Sequence, residues 1–261
     1  MFGKNQLDPD SRFRNYSDLV IKTCMLAGKI MIENGSEMTR VNDTIKRIAR
    51  NAGMPNLKTY ITITGIMISV NDNSETQITE IDKRAFDLRK ITAVNDLSRR
   101  FAEHKTTLEQ FYQELQHVSD LDTYFPYWMK ILSAAILSGS IEVVFRGDYS
   151  VFFITCVIGM LGWIIFDYLN RIVKVEFINE FTAAISIGML AMLARKLGLG
   201  SGVDNMIIGG VMPLVPGVQI TNAVRDLMSG NFVSGPARAM EAIMGACALG
   251  FGVALALKWF G

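Results

Sequence analysis

Beyond residue 126 the sequence runs through five apolar stretches, near 127–145, 150–169, 177–195, 203–221 and 237–257. Each comes close to the roughly 20 residues that a helix needs to cross a bilayer. Lipid offers backbone N–H and C=O groups no partners, so stretches of this kind have to become helices packed as a bundle. Charge divides the chain in the same place. Residues 1–130 carry 18 of the 26 Lys and Arg and 17 of the 25 Asp and Glu, a split that no water-soluble fold requires. The expectation is an α+β soluble domain over 1–122, followed by an α-helical transmembrane bundle of five spans over 123–261.

Periodicity sets the elements of the first part. Residues 18–34 have a helical pattern, with Ser17 at a capping position and Gly35 as a stop. Met38, Val41, Ile45, Ile48 and Ala52 recur at three and four residues and make one apolar stripe, ended by Gly53 and Pro55. TYITITGIMISV, rich in β-branched residues, predicts a strand, with NDNS as the turn and ETQITEI as the return strand. Leu88, Ile91, Val94 and Phe101 mark a third helix. Thr106 and Glu109, in capping-box spacing, open a fourth. The order is α-α-β-β-α-α with a small antiparallel sheet.

Several function classes are disfavoured. A net charge of +1 leaves no basic footprint, so no nucleic acid is expected as a partner. Cys24, Cys156 and Cys247 have no CxxC spacing, and His104 and His117 are the only histidines, so neither a metal nor a cofactor is expected. Nucleophile elbows, phosphate loops and HExxH are absent, which argues against an enzyme. The run Glu37, Arg40, Asp43, Lys46 and Arg47 reads as the solvated face of an amphipathic helix.

Tyr127, Trp128, Tyr149, Tyr168 and Trp259 fall at proposed span ends, where amphipathic rings favour the interface. The first twenty residues show no apolar signal core, which predicts a cytoplasmic N-terminus in a multi-pass cytoplasmic (inner) membrane protein. Lysine and arginine in the loops, five on the inner side against four on the outer, do not orient the bundle alone. In the last stretch Ala242, Ala246, Gly250 and Ala254 repeat every four residues, a ladder that allows helices to approach closely.

The fourth stretch carries the candidate chemistry. In PLVPG, Pro213 and Pro216 are followed by Gly217, and a regular helix cannot pass through two prolines so placed. Transporters use such breaks to aim backbone dipoles at a solute, although a structural kink would read the same. Gln219, Thr221, Asn222, Arg225 and Asp226 just beyond the break add polar groups to a candidate pathway. Glu180 and Glu241 fall within apolar spans, where a charge costs about 2.5–3.5 kcal/mol. With Asp226 they are the candidates for proton coupling. Glu142 reads as an interfacial residue.

NGSEMTRVNDTIKRIARNAG and ITAVNDLSRRF, together with GGVMPLVPGVQITNAVRDLMSGNFVSGPARAMEA, resemble the large component of the threonine/serine exporter family. The likeness extends from about residue 16 to the C-terminus, and its most specific part is PGVxxTNAxRDLxxGxxxSGxARxxEA. It implies a proton-coupled exporter of small hydrophilic amino acids or dicarboxylic organic acids. A further block of helices, fused in single-chain members and separate in split ones, implies a small integral membrane subunit of about four or five spans as partner. A homo-oligomer in the lipid bilayer is the competing arrangement. The other function class is a membrane-anchored sensor or scaffold whose N-terminal domain binds a ligand or protein.

Overall fold

Two compact units divide the chain, one comprising Met1–Thr123 with Val218–Ala239, the other Tyr124–Gly217 with Met240–Gly261. The computed structural model describes residues 9–70, 76–121, 125–146, 149–173, 175, 177–200 and 202–260. The predicted NDNS turn and the boundary expected at 122/123 lie outside the described residues.

In the first unit α1 (Pro9–Glu33) and α2 (Met38–Asn51) precede a three-stranded antiparallel sheet of β1 (Lys58–Thr62), β2 (Gly65–Ser69) and β3 (Gln77–Glu80). Two helices, α3 (Leu88–Ala102) and α4 (Leu108–Asp120), follow. Periodicity explains the core: α2 buries Met38, Val41, Ile45 and Ile48 on one stripe, and α4 buries Leu108, Phe111, Leu115 and Val118. Central α1 approaches closely, since a Cβ on Gly28 would come within 2.8 Å of both Ile45 and Ile66. Phe101 stacks on Phe111 at 5.3 Å, joining α3 to α4.

The second unit contains α5 (Tyr127–Arg146), α6 (Phe152–Ile172), α7 (Ile178–Lys196) and α8 (Val203–Val211), and a 3₁₀ turn at Met212–Leu214. Beyond it α9 (Gly217–Met228) and α10 (Ser234–Phe260) lead through the first unit and back. Glycines set the packing. A Cβ on Gly162 would strike Ile187, and one on Gly252 would lie 2.5 Å from the Phe181 carbonyl and 2.8 Å from Ala184.

This architecture corrects the expected soluble domain followed by five spans. Among the described residues three helices are long and apolar enough to span, Tyr127–Phe145, Phe152–Ile172 and Ser234–Phe260. The pair Val203–Leu214 and Gly217–Met228 would make a fourth only if counted as one broken span. Asn179 and Glu180 at the start of α7 and Arg195 and Lys196 at its end shorten its apolar run. Its buried Ala183, Ala184, Ile187 and Ala191 make it the core helix of its unit. The stretch expected over 203–221 is cut by the 3₁₀ turn and the extended Val215.

The predicted strand pair is a three-stranded sheet, because TYITITGIMISV contains a hairpin. Ile63 and Thr64 form its turn, and the Thr62 hydroxyl accepts the Gly65 N–H at 3.1 Å. Two caps also shift. Ser17 lies inside α1, and the box at α4 is formed by Thr107 and Gln110, one residue beyond the predicted pair.

Candidate functional site

Sequence reasoning places the chemistry at the double proline, and the local backbone there is irregular for a clear reason. Pro213 sits in the 3₁₀ turn, where its missing N–H is no loss, and Val215 is extended as a residue before proline must be. Gly217 then opens α9, with its N–H bonded to the Val215 carbonyl at 2.8 Å. Within the second unit Pro213 walls a cavity of about 340 Å³ with Phe125, Met129, Lys130, Ser133 and Trp163. Lys130 is half-buried and supplies a cation to an otherwise largely apolar lining. The Ser133 hydroxyl donates to the Met129 carbonyl at 2.8 Å.

In the first unit the residues beyond the break lock onto the turn between α1 and α2. Gly35, with φ of +89°, takes the left-handed conformation that ends α1. Its carbonyl accepts from the Asn222 amide at 2.8 Å. Glu37 stands at the N-cap of α2 yet makes no side-chain cap. Instead Asp226, fully buried, accepts the Met38 N–H at 2.8 Å. A carboxylate from α9, 188 residues away, therefore caps α2 and meets the positive end of its dipole.

Arg238 completes the arrangement. Its Nε lies 3.4 Å from the other Asp226 oxygen, and another guanidinium nitrogen donates to the Ser36 carbonyl at 2.6 Å. Both side chains are buried, at 9% and 0% exposure, so neither charge is screened by water. At the rim Arg225 reaches Glu37 at 3.3 Å, and the Asn231 amide donates to Thr39 at 3.3 Å. Glu37 is shared with Arg40 at 3.6 Å, so part of the run read as a solvated face belongs to this network. Deep in the same unit, burial pushes the Cys24 thiol up to about 12, which makes it an inert core group.

The sequence-predicted residues thus separate. Asn222, Arg225 and Asp226 come together with residues 35–39. Gln219 is half-buried and Thr221 exposed on the same helix. Pro213 borders the cavity, and Pro216 and Gly217 make the junction into α9. Glu180 lies in the first turn of α7, and Glu241 is half-buried on α10. Arg238, one turn before Glu241 on α10, pairs with Asp226.

Two groups escaped sequence reasoning. The Ser36–Met38 backbone carries no side-chain signal at all. Glu142, read as interfacial, is 1% exposed and therefore enclosed by protein. The available signal was its place one turn beyond Ser138, which with Ala134 makes a small-residue pair on the same helix.

Residues 22–260 match the protein family described as "Putative threonine/serine exporter". The "Probable threonine/serine exporter" of Mycobacterium tuberculosis is 20% identical over 258 residues, covering 95% of this chain and 47% of that protein. The "Probable succinate transporter subunit YjjP" of Klebsiella aerogenes is 21% identical over 249 residues, covering 93% of this chain and 94% of the relative. "Uncharacterized protein C16A10.01" of Schizosaccharomyces pombe is 27% identical over 183 residues, covering 67% of this chain and 22% of the relative. This chain thus spans about half the length of the mycobacterial relative and nearly all of the Klebsiella one. No solved structure matches.

Proposed function

The chain belongs to the threonine/serine exporter family, and from that premise we propose that it is a subunit of a membrane exporter for small hydrophilic carboxylates. Threonine and serine are one solute class, and a dicarboxylate such as succinate is the other. The cavity walled by Pro213 and Lys130 is the observation that carries this reading. At about 340 Å³ it has room for a small amino acid, and Lys130 complements the carboxylate that every solute in question carries. A sensor or scaffold that used its helices only as an anchor would gain nothing from a cation beside a broken helix. The break at Pro213–Pro216 follows the rule by which transporters free backbone dipoles for a solute.

Coupling to the proton gradient, an inner-membrane location and a cytoplasmic N-terminus belong to the same proposal. So does a small integral membrane subunit as partner. The partner is supported by the word "subunit" in the name of the full-length Klebsiella relative. It is supported also by α10, where Ala246, Gly250 and Ala254 of the small-residue ladder are exposed.

Proteoliposomes containing this chain and its partner, loaded with labelled serine, threonine or succinate, test the reading. Efflux of one of these above that from empty vesicles is the expected result. Vesicles that retain all three solutes would leave the sensor or scaffold as the better account.

A further inference from the structure

The cavity lies on one face of α5, and that face does not end there. Lys130, Ala134, Ser138 and Glu142 follow one another at intervals of four and so stack along one side of the helix. Lys130 and Ala134 line the cavity. Ser138 and Glu142 continue beyond it, with Glu142 about 12 Å along the axis from Ala134 at 1.5 Å per residue.

What encloses them is polar and tightly packed. Ser138, Glu142 and Thr155 of α6 are 0%, 1% and 0% exposed. A Cβ on Gly209 of α8 would lie 2.5 Å from Thr155 Cγ2, 2.6 Å from the Ser138 carbonyl and 3.2 Å from Glu142 Cβ. A Cβ on Gly159 of α6 would collide with the Ser138 hydroxyl. Thr155 spends its own hydroxyl proton on the Val151 carbonyl at 2.8 Å, whereas the Ser138 hydroxyl has no hydrogen-bond partner. Three helices therefore meet through glycines around a carboxyl and an orphan hydroxyl, with no space for a solute. A proton is the occupant that such a site can accept.

We propose that Glu142 is the proton-carrying group of this exporter, with Ser138 as the neighbouring hydroxyl, placed on the same α5 face as the solute cavity. The inference rests on the exporter reading above. Intramembrane carboxyls are costly and mark proton relays and ion pathways, and a shared helix face gives proton and solute a common rigid element. Among the described side chains, these titratable groups of the packed elements lie elsewhere. On α6, Cys156 sits against Gly139, and Asp167 is bonded to Arg171 at the end of α5 where Arg171 covers Tyr127. Asp204 of α8 is exposed, and Lys130 is three turns away on α5. The 3₁₀ turn carries no titratable side chain.

Glu142→Gln keeps the shape and removes the proton site. In co-reconstituted vesicles it should lose efflux driven by a pH gradient, yet retain exchange of labelled for unlabelled solute at a rate independent of pH. Glu142→Asp should restore part of the gradient-driven efflux. Ser138→Ala should shift the pH profile of exchange. Gradient-driven efflux by Glu142→Gln with the parent's pH profile would overturn the proposal. So would joint loss of exchange and membrane insertion in both Glu142 variants, which would make the residue structural. A parent protein without solute flux would instead sink the exporter reading itself, so the two failures are distinguishable.

Discussion

Asp226 serves two structures at once. It caps α2 through Met38 N–H and neutralises Arg238, and both roles depend on its burial. Asp226→Ala would leave a buried guanidinium without its counter-charge, a loss of about 3–5 kcal/mol. Replacing Arg238 by Met in the same background should recover part of this, because the uncompensated charge is then gone. The remaining deficit should be that of the lost helix cap, about 0.5–2 kcal/mol, together with the Ser36 carbonyl left without its donor. Thermal unfolding of the purified variants measures both, and a double variant no better than the single one would refute the pairing. The sequence named Asn222 and Asp226 as polar groups near the break, but the atoms they bond are the backbone carbonyl of Gly35 and the backbone N–H of Met38. Backbone groups have no sequence signature, so that half of the cluster was illegible.

Two elements carry predictions of their own. The turn at Met212–Leu214 owes its form to its prolines, so Pro213→Ala with Pro216→Ala should let α8 run more regularly towards α9. Efflux should fall even if helix content by circular dichroism rises, and unchanged efflux would return PLVPG to a structural kink. On α10 the sequence ladder Ala242, Ala246, Gly250 and Ala254 implied one packed face. The helix in fact packs through Gly252 and Ala256, against Ala184 and Gly188 of α7, while Ala246, Gly250 and Ala254 stay exposed. Gly250→Leu, which meets open space in this chain, should keep the parent's thermal stability and lose co-purification of the membrane subunit. Retained co-purification would place the partner elsewhere. Small residues recur on more than one side of α10, so spacing alone could not choose the face.

At the scale of the molecule the first unit is discontinuous, since Val218–Ala239 belongs with Met1–Thr123. A fragment of residues 1–122 therefore lacks the Asp226 cap and the donors from Asn222 and Arg238. Its Met38 amide should exchange with solvent faster than in the full chain, which hydrogen exchange resolves. Equal protection would show that the α1–α2 turn needs no support from the later segment.

The apolar, glycine-rich helices, the amphipathic stripes of the first unit and the proline break all follow from the order of residues. Each is a local pattern, written in the spacing of residue types that a single helix or turn must satisfy. The fold shows which apolar stretches stay unbroken, since the turn after α8 and the extended Val215 interrupt the one over 203–221. It also decided that Asp226 caps α2 and that Glu142 is enclosed among glycines of α6 and α8. Burial and trans capping depend on atoms far apart in the chain, and no local pattern specifies which distant backbone will arrive.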